Sequence, residues 1–198
     1  ADFVDAGKLS LDKQFTITHV GSLNKDRNPF IFWKTINELI QENKDFANDI
    51  KIKLIGPIDV SVNDELEKNN LTTNTTLIES LPHKEVLNHI IKSQVLLLPL
   101  NDVPNIDGVI PGKMYEYFGA KRPIICIGKE DGDAAKIIQE TQTGIVVDFN
   151  NSNGLKKEIF SMYQEFKKGN LKVNAQNHQQ YSRKHLAAKI ADVLNEIS

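Results

Sequence analysis

Lys113 and Glu116 stand three residues apart in the stretch Asn105-Ile-Asp-Gly-Val-Ile-Pro-Gly-Lys-Met-Tyr-Glu-Tyr117. On a helix that spacing puts an ammonium and a carboxylate on one face. The first suits a phosphate, and the second can accept hydrogen bonds from a pair of sugar hydroxyls. The segment also breaks two local rules. Pro111 suits a first helical position, yet Ile110 before it has no side chain that could cap the free amides. Lys113 lies in the first turn, where the helix dipole disfavours a cation. A bound diphosphate would resolve both, accepting from the amides and pairing with Lys113. The alternative is a surface i,i+3 ion pair worth roughly a few tenths of a kcal/mol. Gly108 and Gly112 leave the approach uncrowded, and Tyr115, Tyr117 and Phe118 read as packing residues.

Two other stretches carry candidate chemistry. In His19-Val-Gly-Ser-Leu-Asn-Lys-Asp-Arg-Asn-Pro29, Gly21 and Ser22 follow an apolar run and can bring backbone amides close to a phosphate. Lys25 and Arg27 add charge, and either could face it. Asn28 reads as an N-cap before Pro29. In Leu81-Pro-His-Lys-Glu85, amide groups at the junction could hydrogen-bond a base edge, with Lys84 in reach of a phosphate. Taken alone, each is better read as a plain strand–helix junction with solvated charges. A fourth stretch, Gly128-Lys-Glu-Asp-Gly-Asp133, reads as a loop leading to Asp133 as N-cap, with no ion assigned. His89, His178 and His185 lack ligand spacing, so no metal is expected.

These loops need a scaffold. Short β-rich runs at Phe15–Val20, Ile50–Ile55, Thr76–Glu79, Val95–Pro99, Pro123–Ile127 and Ile145–Asp148 read as strands buried on both faces. Helices are expected near Pro29–Glu42, Asp64–Asn70, Lys84–Ser93, Pro111–Gly119, Asp133–Thr141, Gly154–Lys168 and Ala175–Ile197. The first carries an apolar stripe of Phe30, Trp33, Ile36, Leu39 and Ile40. Such alternation predicts one α/β domain: a Rossmann-like, doubly wound parallel sheet of about six strands, with helices on both faces. Ligands then bind at the loops after the strands.

Composition limits the functions open to that domain. The 198 residues are 40% hydrophobic and 25% charged, with a formal net charge of −2, which supports a folded core and argues against a nucleic-acid surface. The one cysteine, Cys126, falls in an apolar run and reads as buried. It allows no intrachain disulfide. No apolar run approaches the roughly 18–20 residues a membrane span needs. The chain therefore reads as soluble and cytoplasmic.

With Gly21-Ser-Leu23, Leu54-Ile-Gly-Pro57, Leu81-Pro82, Val95-Leu-Leu-Leu-Pro99, Gly108-Val-Ile-Pro-Gly-Lys-Met-Tyr-Glu-Tyr117 and Lys121-Arg-Pro123 in this order, the chain resembles the C-terminal donor-binding domain of GT-B glycosyltransferases, of the group 1 or family 4 type. The resemblance runs from about Phe15 to Ile197, and residues 1–14 resemble the interdomain linker. It implies a retaining transferase that takes a UDP- or GDP-sugar as donor, with no metal or other cofactor. Arg27 and Lys113 would neutralise the leaving diphosphate, beside backbone from Gly21 and Ser22. Leu81, Pro82, His83 and Lys84 would hold the nucleotide, Glu116 the ribose, and Gly108, Val109, Ile110 and Pro111 would line the donor site. Many members carry two glutamates spaced E-x7-E; Glu116 matches the second, and Gly108 stands at the first. The acceptor would be held by an N-terminal domain outside these 198 residues, and any peripheral membrane association would come through that half. A nucleotide-sugar epimerase domain of the same fold and a non-catalytic nucleotide-binding or scaffolding module are the competing readings.

Overall fold

The computed structural model describes residues 9–196. The six expected strands form: β1 Phe15–Val20, β2 Ile50–Ile55, β3 Thr75–Ile78, β4 Val95–Pro99, β5 Ile124–Ile127 and β6 Gly144–Val147. They make one parallel sheet in the order β3-β2-β1-β4-β5-β6. From β1 the chain steps outward to β3, then returns to β4 on the other side. Ligands of such sheets bind where that direction reverses, above the carboxyl ends of β1 and β4.

The helices are α1 Phe30–Glu42, α2 Lys44–Asp49, α3 Val60–Lys68, α4 His83–Lys92, α5 Lys113–Ala120, α6 Asp133–Thr141, α7 Ser152–Lys167 and α8 Arg183–Glu196. Two apolar clusters show that they cover both faces. Trp33, Ile36, Phe46, Val62, Leu155 and Ile159 pack with Phe15, Ile17 and Leu97 on one side. Leu87, Ile90, Met114, Tyr117, Phe118 and Ile138 pack with Leu96, Leu98 and Cys126 on the other. Burial of Cys126 pushes its thiol up to about 12, so it serves as a small apolar residue.

Several helix starts differ from the sequence reading. Asn28 is not the cap of α1. Pro29 holds that position without a side-chain bond, because the Asn28 carboxamide is used sideways, accepting from Trp33 Nε1 at 2.7 Å and donating to the Ser61 carbonyl at 3.0 Å. The α1 stripe turns accordingly: Phe32 is buried, while Phe30 is 51% exposed. Pro111 precedes α5 by two residues, with Gly112 at the cap, and Gly132 rather than Asp133 caps α6. The final expected helix is divided: a 3-10 turn at His178–Tyr181 ends at the extended Ser182, and α8 follows. Of residues 1–14, the first eight lie outside the described residues. Asp12 is bound to the domain through Lys53 at 2.6 Å and through its amide to the Lys92 carbonyl at 2.8 Å.

Candidate anion site at the sheet switch point

Two glycines shape the floor of the crevice. Gly21 follows β1 with φ +107°, and Gly56 follows β2 with φ +118°, both in the region that L side chains avoid. A Cβ on Gly56 would lie 3.0 Å from the Gly21 carbonyl oxygen, and one on Gly21 would lie 2.5 Å from Lys113 Nζ. The strand ends thus approach each other, and the lysine amine settles over bare backbone.

The loop after Gly21 winds through a 3-10 turn at Lys25–Arg27. It is tied to the loop after β4, because the Asp102 amide donates to the Asp26 carbonyl at 2.8 Å. Arg27 turns inward, donating through Nε to Asn101 Oδ1 at 2.8 Å and through Nη1 to the Ser22 carbonyl at 3.3 Å. Lys25 is exposed, and its charge is felt instead at Asp59, after β2. Of the two cations, Arg27 faces the crevice.

Lys113 opens α5, whose start carries no side-chain cap. Among the described residues it makes no ion pair with Glu116, whereas Lys68, Lys136 and Lys168 each pair with an acid three residues earlier. Burial first, then the charge of Arg27, push the Lys113 ammonium down to about 8, against an opposing pull from Glu116. Arg27 itself is held by neutral oxygens, so among the described residues the two cations act on each other with no ion pair to either. That arrangement, at an uncapped helix start beside glycine backbone, suits a phosphate.

His19, at the end of β1, lies directly beneath. Its ring is fully buried, with Nδ1 3.1 Å from the Leu97 carbonyl. Burial, then Lys113, hold the imidazole down to about 3, so it is neutral and Nδ1 carries the proton. Among the described residues Nε2 has no hydrogen-bond partner, and the Gly21 backbone pulls the imidazole weakly the other way, towards protonation.

Glu116 is half-buried one helical turn into α5. Before it, Gly108 ends a short 3-10 turn at Ile106–Gly108, and a Cβ there would meet nothing within 4 Å. Packing therefore does not require glycine at 108. Val109 and Ile110 are exposed apolar residues, and Pro111 is partly covered. The loop is braced by an Asp107–Lys129 ion pair of 2.7 Å, which uses part of the acidic 128–133 stretch. Among the described residues no group of three or more His, Cys, Asp or Glu is placed to hold a metal.

Leu81 is half-buried against the α4–α6 cluster, and Pro82 caps α4 with no side-chain bond; His83 and Lys84 begin the helix and are exposed. Because α4 packs against α5 and β1, its start lies at the same edge of the sheet as Lys113. The fold thus brings Gly21, Ser22, Arg27, Lys113 and Glu116 around the switch point, with residues 81–84 on the flank. Sequence reasoning missed His19, Asn101 and the hydroxyl of Tyr117. The one available signal was position: each lies at a strand end or one turn along from Lys113.

Residues 14–165 match the sequence profile of the family described as glycosyl transferases group 1. The chain belongs to that family. No curated protein shows significant similarity to it. Solved structures of group 1 enzymes and their kin share its fold at low identity. A glycosyltransferase from Rickettsia africae ESF-5 superposes with a TM-score of 0.73 at 14% identity, over 99% of this chain and 54% of that one. The Anabaena protein HepE, solved with UDP and glucose, gives 0.67 at 12% identity, over 92% of this chain and 48% of that one. The C-terminal domain of a group 1 family glycosyl transferase from Francisella tularensis gives 0.59 at 12% identity, over 85% and 91%. The group 1 chain described here therefore spans about half the length of the first two.

Proposed function

We propose that this domain binds the nucleoside diphosphate of a UDP- or GDP-sugar and stabilises it as it leaves during a retaining glycosyl transfer. The acceptor would be held by a further domain. The observation that carries the reading is that Lys113 lies over the bare backbone of Gly21 while Arg27 reaches the adjoining Ser22 carbonyl, with neither cation ion-paired among the described residues. When the bond from the anomeric carbon to the diphosphate oxygen breaks, its electron pair stays on that oxygen. Two fixed cations and the Ser22 amide would meet the charge where it develops; the Gly21 amide is already used, donating to the Ile55 carbonyl at 2.8 Å. No metal is needed in this scheme, since the side chains supply the neutralising charge. Glu116 would accept from the ribose hydroxyls, while the start of α4 would hold the base and Gly108–Pro111 would border the sugar. HepE with its bound UDP and glucose supports the ligand class by analogy of fold.

The test is calorimetric titration of the chain with UDP, GDP and ADP. One of the first two should bind, and Lys113→Ala should weaken it by roughly ten- to a hundredfold, as for loss of a charged hydrogen bond. Glu116→Ala should weaken nucleotide but leave inorganic pyrophosphate unchanged. Equal affinities in wild type and both variants would remove the assignment.

A further inference from the structure

The β1–β4 ladder ends early, and a side chain from α5 occupies the gap. β1 pairs with β2 along all six of its residues, but with β4 only at Ile17↔Val95 and Thr18↔Leu96. The Leu96 amide bonds outward to Pro123 next to β5. In that phase the next rung of a parallel ladder would run from the Val20 amide to the Leu97 carbonyl. Instead the Val20 amide donates to the Tyr117 hydroxyl at 3.0 Å, and that hydroxyl lies 3.3 Å from the Leu97 carbonyl as its donor. His19 Nδ1 also reaches the same carbonyl. Tyr117 is wholly buried, one helical turn beyond Lys113 and so on the same side of α5.

We infer that Tyr117 is a positioning residue for the anion site, a role that rests on the diphosphate reading above. Its hydroxyl is a spacer holding the ends of β1 and β4 one oxygen atom apart, so that Gly21 emerges beneath Lys113. The same residue fixes α5 against that backbone, so both sides of the anion site are set by one phenol. Without the hydroxyl, the Val20 amide is buried and unmatched and the Leu97 carbonyl, which has two lone pairs, keeps only His19 Nδ1, so the economical remedy is for amide and carbonyl to bond to each other. The rung would close and carry Gly21 towards β4, away from Lys113.

Tyr117→Phe tests this, since it keeps the ring and removes only the bridge. Affinity for inorganic pyrophosphate and for UDP should fall about tenfold or more, while the melting temperature stays near that of wild type. A scalar coupling across a new Val20 N–H···O=C Leu97 bond should appear in the NMR spectrum of the variant. Unchanged pyrophosphate affinity with a lowered melting temperature would overturn the inference and leave a packing role. If wild type binds neither pyrophosphate nor UDP, the donor reading falls, and the coupling alone decides: its absence disproves the spacer.

Discussion

The Lys113 ammonium fills the space that a side chain on Gly21 would need, with 2.5 Å between Nζ and an ideal Cβ. The glycine also sits at φ +107°. Gly21→Ala is therefore strained twice, by backbone angle and by displacement of the amine. It should lower stability by about 1 kcal/mol or more, beyond what chain stiffening returns. It should weaken pyrophosphate binding as well, because the cation can no longer lie over the backbone. Denaturant unfolding and calorimetry on one preparation check both; a variant matching wild type in each would show that neither contact matters.

Lys113 should make binding depend on alkaline pH. Its ammonium is held down to about 8 from 10.5, so the free site loses a charge above pH 8. UDP affinity should be level from pH 7 to about 8, then fall by up to about tenfold per unit. Stability should move the other way. Between about 8 and 10.5 the unfolded chain binds the proton that the folded chain has released, so this group's contribution to stability rises with pH. Lys113→Arg should flatten both trends. An affinity profile identical in wild type and Lys113→Arg would place the titrating group elsewhere.

His19 should set part of the acid limit. Folded, its ring stays neutral down to about 3; unfolded, it takes a proton near 6.5. The unfolded state therefore binds more protons between those values, and stability falls as pH drops below 6.5. The loss approaches about 1.4 kcal/mol per unit. His19→Asn retains a donor for the Leu97 carbonyl without the titration, so its acid limb between pH 6.5 and 4 should be shallower. Equal slopes in chemical denaturation would show that the ring is protonated in the fold or exposed.

The scaffold was legible in the sequence because its strands are continuous apolar runs, and a run such as Val95-Leu-Leu-Leu-Pro99 has few alternatives in an alternating α/β chain. Helix starts were less legible. Asn28 has the right side chain for a cap, but capping competes with the indole of Trp33, a partner five residues away that only the folded chain brings into range. At the anion site, Lys113 could be read from its misfit with the helix dipole, a local rule. The choice of Arg27 over Lys25 could not, since it depends on Asn101 arriving from another loop. Tyr117 was hidden for a related reason: an aromatic residue on an apolar face looks like packing, and its hydroxyl gains meaning only from where the β1–β4 ladder stops.

The backbone bond from Asp102 to Asp26 joins the two loops that flank the crevice. Joined loops cannot part independently, so much of the ordering cost of the site is met during folding rather than at ligand capture. Association should then occur in a single kinetic phase, accelerated at low ionic strength by the paired cations and free of a slow isomerisation step. Selectivity among nucleotides would arise in how long each resides.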